Sequence, residues 1–426
     1  MSKRAKSGAL AAVLLFVAAI TAAGNIGLVK KVLGGDIVLI GDSFVARPTG
    51  IGAPERSEPL QTQISPPQHE STVVNIEVPV RVMKKNAFVD NLTLADFEVF
   101  ENGIRQNIEA VYLIKDKQVL REEKTAEAAP SPRRSARNYV LYLDLKEYLP
   151  KIGDALDFFF DDVLGPEDTL FVVTPVKTYR FKSEALSLVP RRQIADRLKA
   201  KLKVDIQAGN SQYRKLMRDF YQLEEEEFPP EQADVKENML FDLAREMRDL
   251  TEITESRVIG FADVLKSLDG EKHVFLIFQK DVLPGHEFSD DRQLELFKPV
   301  SFDVDKIKRY FSDASITIHC LYITKTPAFA LNPMNPGGSL LASRLQDLSA
   351  DIYASFKDMA AATGGLSEST SNPNFALRQA AEASSNYYLV YYRPLDYRAD
   401  GRFQKIDIRV KGEGLKVTHR LGYIAD

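Results

Sequence analysis

The sequence predicts an α/β protein in which a doubly wound, mainly parallel sheet is accompanied by an antiparallel β-sandwich built from strands near both ends of the chain. Residues 140–143 form an unbroken apolar run, which indicates a strand buried on both faces. Further strand and helix patterns alternate from there to about residue 385, and this alternation favours crossover connections with helices on both faces. By contrast, residues 74–82 and 403–410 alternate apolar with polar side chains, as half-buried antiparallel strands do.

Composition limits both size and function. The chain has 426 residues, of which 44% are hydrophobic, and this is enough for two ordered domains. Its formal net charge of −4 argues against nucleic-acid binding, because no basic surplus is available to neutralise phosphates. The five histidines show no metal-ligand spacing; they are His69, His273, His286, His319 and His419. The single cysteine, Cys320, lies in an apolar run and is expected in the core.

Residues 1–23 have the layout of a secretory signal peptide: basic residues, an apolar stretch at 9–20, and small residues at 21–23. The apolar stretch is short for a membrane span, which needs about 20 residues. We therefore expect a secreted or periplasmic protein, with a membrane anchor as the alternative if the segment stays uncleaved. Residues 24–70 are rich in Gly, Pro, Ser and Gln and are predicted to be a mostly disordered linker.

Residues 71–115 are predicted to form the first part of the sandwich. Pro79 interrupts the alternating strand at 74–82 and predicts that it lies at a sheet edge or beside a bulge. The pair Asn102-Gly103 predicts a tight hairpin. The charged, proline-containing stretch 116–137 is predicted to be a linker.

The central domain is predicted to span residues 138–385. Its buried strands are expected at 138–144, 168–176, 273–278 and 315–323, with an edge strand at 178–182. Residues 205–235, which contain the run 224–227 of four glutamates, are predicted to be a solvated helical insertion. One long helix is predicted over 236–268 and another over 340–362.

Residues 386–426 are predicted to form three antiparallel strands, the second part of the sandwich. Neither this part nor residues 71–115 has enough strands to bury a core alone. We therefore predict that the two parts pack together, with the central domain inserted between them.

The chain also resembles a known family. Residues 92–103 read LTLADFEVFENG, a buried strand ends at Asp144, the pair Gly364-Gly365 precedes a short helix, and residues 386–392 read NYYLVYY. Together these features are similar to the bacterial secreted proteins described as von Willebrand factor A-related (VWA-related), over about residues 71–425. The resemblance implies a VWA fold, which is Rossmann-like, beside a β domain outside the cytoplasm.

The resemblance also implies a site. VWA domains generally hold a divalent ion through Asp-x-Ser-x-Ser after the first strand, a Thr from a second loop and an Asp from a third. Here residues 144–148 read DLKEY, and the Thr position falls near Pro190. We therefore predict a degenerate site without a metal, in which the ammonium of Lys146 pairs with Asp144 in the place of the ion. The alternative is that Lys146 is an exposed loop residue. The predicted binding rim comprises Asp144, Lys146, Tyr148, Gln279 and Asp281.

These observations predict a non-enzymatic protein–protein interaction module of the bacterial cell envelope or exterior, with no catalytic residue and no cofactor. The protein partner is not identified by the sequence, and a purely structural domain is not distinguished from such a module. One alternative is a metal-dependent adhesion domain. Another is a hydrolase that uses Ser43, since residues 41–43 read Gly-Asp-Ser as in one hydrolase family, but the base that would activate this serine is missing.

Overall fold

A computed structural model describes residues 74–85, 87–116, 118–125, 136–297, 303–325 and 344–425. The predicted signal peptide, the linker 24–70 with Ser43, and most of the loop before residue 344 lie outside the described residues. The described part is a mixed α/β protein with a nine-stranded antiparallel sheet, a six-stranded mixed sheet and a two-stranded ribbon. The predicted α/β class is confirmed.

The antiparallel sheet combines strands from both ends of the chain. Its strands are β1 (Ile76–Lys84), β2 (Ala87–Phe88), β3 (Phe97–Glu101), β4 (Ile104–Lys115), β5 (Gln118–Lys124), β14 (Tyr387–Arg393), β15 (Phe403–Val410), β16 (Lys416–His419) and β17 (Gly422–Ile424). Their order is β16-β1-β14-β4-β3-β15-β17, with β2 beside β1 and β5 beside β4. The C-terminal strand β14 therefore lies between two N-terminal strands. Hydrogen bonds join all nine strands into one sheet, rather than the two sheets of the predicted sandwich.

Two local predictions for this sheet need correction. The stretch 116–137 was predicted to be a linker, but β5 pairs with β4 from Gln118 to Lys124. Its charged residues suit an exposed edge strand, where charge discourages pairing with another chain. Strand β1, predicted to lie at an edge or beside a bulge, is internal, and its ladders with β14 and β16 are regular. Its Pro79 faces Leu389 of β14 on one side, while β16 pairs with β1 only from Val80 onwards. Pro79, which has no amide hydrogen, therefore lies just outside the ladder between β1 and β16.

The six-stranded sheet is built from the middle of the chain. Its strands are β6 (Arg137–Asp144), β7 (Thr169–Val173), β8 (Thr178–Phe181), β9 (Glu271–Gln279), β11 (Ile316–Ile323) and β13 (Ser367–Thr370). They lie in the order β13-β11-β9-β6-β7-β8. All neighbours are parallel except β8, which runs antiparallel to β7 at one edge. The apolar run of β6 thus lies in the middle of the sheet, as the lack of alternation predicts.

The described residues form ten α-helices, some of which cover the two faces of this sheet. In chain order they are α1 (Pro150–Phe158, continued by a π turn over Phe159–Val163), α2 (Ser183–Leu188), α3 (Arg191–Gly209), α4 (Ser211–Glu225), α5 (Ala233–Asp249), α6 (Glu255–Lys266), α7 (Asp290–Leu296), α8 (Val304–Asp313), α9 (Ala350–Ala362) and α10 (Pro373–Ser385). Helices α1, α3 and α10 bury one face of the sheet. Helices α6, α8 and α9 bury the other. Each face therefore has its own apolar core.

The insertion is larger and less solvated than predicted. Helices α4 and α5 pack on each other, on α7 and on a ribbon formed by β10 (Val282–Pro284) and β12 (Leu345–Asp347), and they share a separate apolar core. Glu224, the first residue of the acidic run, is paired with Arg344 and His286. An insertion with its own core keeps a fixed shape, and it can therefore position side chains over the sheet.

Two long helices were also predicted wrongly. The helix expected over 236–268 is two helices, α5 and α6, separated at residues 250–254. The residues at this break include Thr251, Ile253 and Thr254, whose branched Cβ atoms disfavour a helix. Within the described residues, which resume at 344, the helix expected over 340–362 begins at Ala350, because residues 345–347 form β12. Both new N-termini lie at the carboxyl end of the six-stranded sheet.

A buried polar cluster joins the two sheets at the other end of the parallel strands. Glu271, at the start of β9, accepts hydrogen bonds from Tyr387 (3.0 Å) and His273 (3.3 Å) and pairs with Arg137 at 2.9 Å. Burial alone would raise the pKa of Glu271, but His273 and Arg137 lower it to about 2. The guanidinium of Arg81, from β1, donates to the carbonyl oxygens of Ala383 and Gly364. Hydrogen bonds to the charged groups Glu271 and Arg81 therefore join the two sheets, in addition to the chain itself.

A buried histidine near this junction is expected to make the stability of the protein sensitive to acid. His319 is fully buried and accepts a hydrogen bond from the Leu366 amide through Nδ1. Burial, followed by the charge of Arg81, holds its pKa well below the ordinary 6.5. Below about pH 6.5 this histidine is therefore protonated in the unfolded chain but not in the folded protein. For each unit by which the pH is lowered below this value, His319 should decrease the free energy of unfolding by about 1.4 kcal/mol.

His319→Asn tests this prediction, because the amide oxygen can replace Nδ1 as acceptor but does not titrate. Urea unfolding at pH 7.0, 6.2 and 5.5 should give a shallower pH dependence for the variant than for the wild type. The constant offset between the two proteins reports lost packing and is not part of the test. Parallel curves would show that His319 titrates normally in the folded protein.

Candidate functional site

The carboxyl ends of the two central strands form the rim of the six-stranded sheet. Asp144 ends β6 and is paired with Phe278, and Gln279 ends β9 one residue later. Open α/β sheets bind ligands outside the carboxyl ends of their strands. Four of the five predicted rim residues meet here: Asp144, Lys146, Gln279 and Asp281.

Lys146 lies between the two aspartates. Its Nζ is 3.4 Å from Asp144 Oδ1 and 3.5 Å from Asp281 Oδ2. Its side chain is only 9% exposed, so it is not the exposed loop residue of the alternative interpretation. Asp281 is equally enclosed, whereas the Asp144 side chain is 40% exposed. One ammonium therefore bridges a buried and a half-exposed carboxylate.

The electrostatics of this trio favour the charged lysine. Burial alone would lower the pKa of Lys146, but the nearby carboxylates of Asp144 and Asp281 outweigh it and raise the pKa above its ordinary value. Burial raises the pKa of Asp281, and the charge of Asp144 adds to that rise. The ammonium opposes this change, and its removal would leave two acids facing each other.

Gln279 fixes the loop that carries Lys146. Its Oε1 accepts hydrogen bonds from the amides of Lys146 (3.0 Å) and Glu147 (3.1 Å), and its Nε2 donates to the Lys325 carbonyl (3.0 Å). One buried amide thus ties the loop after β6 to the loop after β11. Such fully used buried amides hold a loop in a single conformation.

Asp281 is held from a second direction. Its amide donates to Ser349 Oγ (3.1 Å), and Ser349 in turn donates to Asp347 (2.6 Å). Tyr322 also donates to Asp347, at 2.8 Å. These bonds link the loop after β9 to the ribbon and to the start of α9. The carboxylate of Asp281 therefore has a fixed position beside Lys146.

Helix α4 of the insertion covers the lysine, which the sequence did not predict. Lys146 Nζ lies 5.7 Å from the centre of the Tyr213 ring, and the Tyr213 hydroxyl interacts with Asp281. Arg214 donates to the Lys146 carbonyl (2.7 Å) and Asn210 donates to the Leu145 carbonyl (2.7 Å). The spacing of apolar residues in α4 indicates a buried helix face, but it gives no sign of the surface that buries it.

Tyr148, the fifth predicted residue, does not join the group. It packs at the margin of the core beneath α1 and α3, and a Cβ added at Gly153 of α1 would lie 3.4 Å from its hydroxyl oxygen. The structure therefore brings together four of the five predicted rim residues but not Tyr148. The chain turns into α1 after Leu149, and this turn directs the side chain towards the helix rather than towards Asp144.

An elongated apolar pocket opens beside Asp144, between the sheet and helices α6 and α9. The mouth of this pocket carries polar groups, among them Asp144, Thr251, Arg257 and Ser349, and its interior is apolar. No pattern in the sequence indicates this pocket, because it lies at the break between α5 and α6, where one continuous helix was predicted.

The described residues contain no cluster of three or more His, Cys, Asp or Glu that could hold a metal ion. The part of the chain that the structure describes also contains no helix with the length and apolar character of a membrane span.

Comparisons with known proteins give no family. No protein-family model matches the chain, and no curated protein sequence matches it. Among solved structures, the human COPII-coat protein Sec24c is similar at a TM-score of 0.30 and 8% sequence identity. This match covers 68% of the present chain and 44% of the Sec24c chain, so the present chain spans less than half of that protein. A similarity this weak indicates neither a shared fold nor a shared function.

Proposed function

We propose that this protein is a VWA-like, non-enzymatic binding module in which a lysine occupies the position of the divalent ion. The strand order β13-β11-β9-β6-β7-β8, the antiparallel edge strand β8 and helices on both faces support a doubly wound, VWA-like assignment. The observation that carries the proposal is the Lys146 ammonium between Asp144 and Asp281. A cation there would compete with a charge that the protein already supplies.

Metal titration tests this assignment. Calorimetry with Mg²⁺, Ca²⁺ and Mn²⁺ should detect no binding to the wild-type protein. In Lys146→Ser, which restores a hydroxyl at the family's first serine position, Mn²⁺ should raise the unfolding midpoint. A further Asp144→Asn change should remove that rise. Tight binding to the wild type that is lost in Asp144→Ala would support the metal-dependent adhesion domain instead.

We further propose that the partner is a protein of the bacterial envelope or exterior, recognised by the outer surface of the insertion. The loop with Lys146 is covered by α4, whereas the insertion exposes Val235 and Met239, one turn apart on α5, and Leu294 on α7, at 50%, 46% and 70%. Exposed apolar side chains that lie close together often mark a protein contact. The extracytoplasmic location rests on the signal-like residues 1–23.

Site-specific photo-crosslinking tests the partner surface. A crosslinking amino acid at Met239 should give a discrete adduct in envelope extracts, unchanged by EDTA and suppressed by excess unlabelled protein. The matched control is the same amino acid at Leu188, which is 70% exposed on α2, outside the insertion. Equal adducts at both positions, or loss of the adduct with EDTA, would contradict the proposal.

The Ser43 hydrolase alternative predicts ester hydrolysis that Ser43→Ala abolishes.

A further inference from the structure

The pocket beside Asp144 has the shape of a slot. Its floor is one face of β9, formed by Phe278, Leu276 and Val274. These alternate residues span four steps of the strand, or about 13 Å at about 3.3 Å per residue. The space between the lining side chains is about 810 Å³ with the open mouth included. Because its floor runs along four steps of one strand, a linear chain can follow it.

The walls are apolar throughout the interior. Phe261 of α6 lies on one side, Phe356 and Met359 of α9 lie on the other, and Phe311 of α8 also lines the pocket. Leu276 is in the middle of a central strand, yet it is only partly buried. Central strands of covered sheets are normally buried on both faces. The helices therefore leave Leu276 incompletely covered beside this slot, whereas Val274 and Phe278 on the same face of β9 are buried.

The mouth carries a cation that has no acidic partner among the described residues. Arg257 of α6 lines the mouth and donates to the Glu252 carbonyl at 3.2 Å. No carboxylate within the described residues lies within 4.0 Å of its guanidinium nitrogens. The two acids near the mouth, Asp144 and Asp281, are instead engaged by Lys146. Arg257 is thus a cation at the mouth that is available to a ligand.

Two helix N-termini add to this positive character. Helices α6 and α9 begin at Glu255 and Ala350, and residues from both first turns line the mouth. The N-terminal end of a helix carries a partial positive charge. Glu255 does not cancel the charge of Arg257, since its carboxylate pairs with Lys306 at 2.5 Å. Arg257 and Lys146 together balance the formal charges of Asp144 and Asp281. The two helix N-termini then tip the preference towards an anionic head group.

We propose that this slot binds a medium-chain fatty acid, with the carboxylate on Arg257 and the alkyl chain along Phe278, Leu276 and Val274. A depth of about 13 Å suits a chain of about ten carbons. Guanidinium groups bind carboxylates through paired, charge-assisted hydrogen bonds. The apolar interior with a few polar groups at its mouth is the usual composition of a small-molecule site.

Calorimetry on the full chain with three ten-carbon ligands, each below its micelle concentration, tests the proposal. Decanoate should bind at least about tenfold more tightly than decyltrimethylammonium, and also more tightly than decanol. Affinity should rise about threefold to fourfold per methylene from hexanoate to decanoate. Equal binding of all three ligands, or preference for the cation, would overturn the proposal.

Variants locate the two ends of the ligand. Arg257→Gln should weaken decanoate about 10- to 100-fold and leave decanol unchanged. Arg245→Gln, at an exposed arginine of α5 paired with Asp242, is the matched control and should change neither. Leu276→Phe should fill the slot and abolish binding of both ligands while circular dichroism shows the native fold.

A measurement on the wild type keeps the test valid if Leu276→Phe does not fold. Nuclear Overhauser contacts should join the decanoate terminal methyl to Val274 and Met359 near the closed end. Contacts from that methyl to residues outside the slot would refute the proposed site. An unchanged decanoate affinity in Arg257→Gln would refute the proposed carboxylate anchor.

Discussion

Deletion of residues 386–426 is expected to unfold the N-terminal β strands completely. The deletion removes β14, which pairs with β1 over Ile76–Val80 and with β4 along most of its length. The rest of the chain would then supply two separate groups of strands with no shared ladder. Too few strands would remain in either group to bury a core.

The core shows why no part of this sheet should survive. Tyr388, Val390 and Tyr392 of β14 are fully buried among side chains of β1, β3 and β4. The Tyr388 ring lies 5.1 Å from that of Phe97, and its hydroxyl accepts a hydrogen bond from the Leu92 amide. Without β14 these apolar surfaces would face water.

Hydrogen exchange followed by mass spectrometry measures the outcome. Peptides from residues 76–124 should exchange within seconds in the deletion variant and remain protected in the full chain. A point variant gives an independent test: Tyr388→Ala should cost about 3–5 kcal/mol. Leu395→Ala is the control, because Leu395 is 63% exposed just beyond the same strand, and it should change stability little. Slow exchange of residues 76–124 after the deletion would refute the shared core.

Lys146→Met is expected to destabilise the protein by about 3–5 kcal/mol, because it leaves the buried Asp281 without its counter-charge. Asp144 can recover water at its exposed side, whereas Asp281 cannot. A second cost is the repulsion between the carboxylates of Asp144 and Asp281, which the Lys146 ammonium screens in the wild-type protein. Chemical denaturation at pH 7 measures the loss.

A second substitution, which removes the buried charge, distinguishes the loss of the counter-charge from the loss of packing. Asp281→Asn added to Lys146→Met should recover part of the stability, because no unpaired charge then remains buried. Lys199→Met is the matched control: Lys199 also bridges two aspartates, Asp157 at 2.7 Å and Asp196 at 2.8 Å, but near the surface. It should cost less than about 1 kcal/mol. Equal losses at Lys146 and Lys199 would show that burial of the bridge has no influence.

Local patterns in the sequence were informative where side-chain periodicity decides the outcome. The apolar run ending at Asp144 predicted a strand in the middle of a covered sheet, and β6 lies there. The pairing of Lys146 with Asp144 was also predicted, from the resemblance to VWA sites in which Lys146 stands at a serine position, and the structure shows this pair. Breaks in a pattern were harder to recognise: the five residues 250–254 continue the helical spacing but end one helix and precede another.

The sequence by itself determined the α/β class, the central strands, the placement of Asp144 at their carboxyl end and the need for the two β segments to share a core. Only the tertiary structure decided that α4 covers Lys146, that Tyr148 turns towards α1, and that Arg257 lies at the mouth of an apolar slot. The physical reason is range. Periodicity and turn chemistry act over a few residues. By contrast, Lys146 contacts Tyr213 and Asp281, which lie 67 and 135 positions further along the chain.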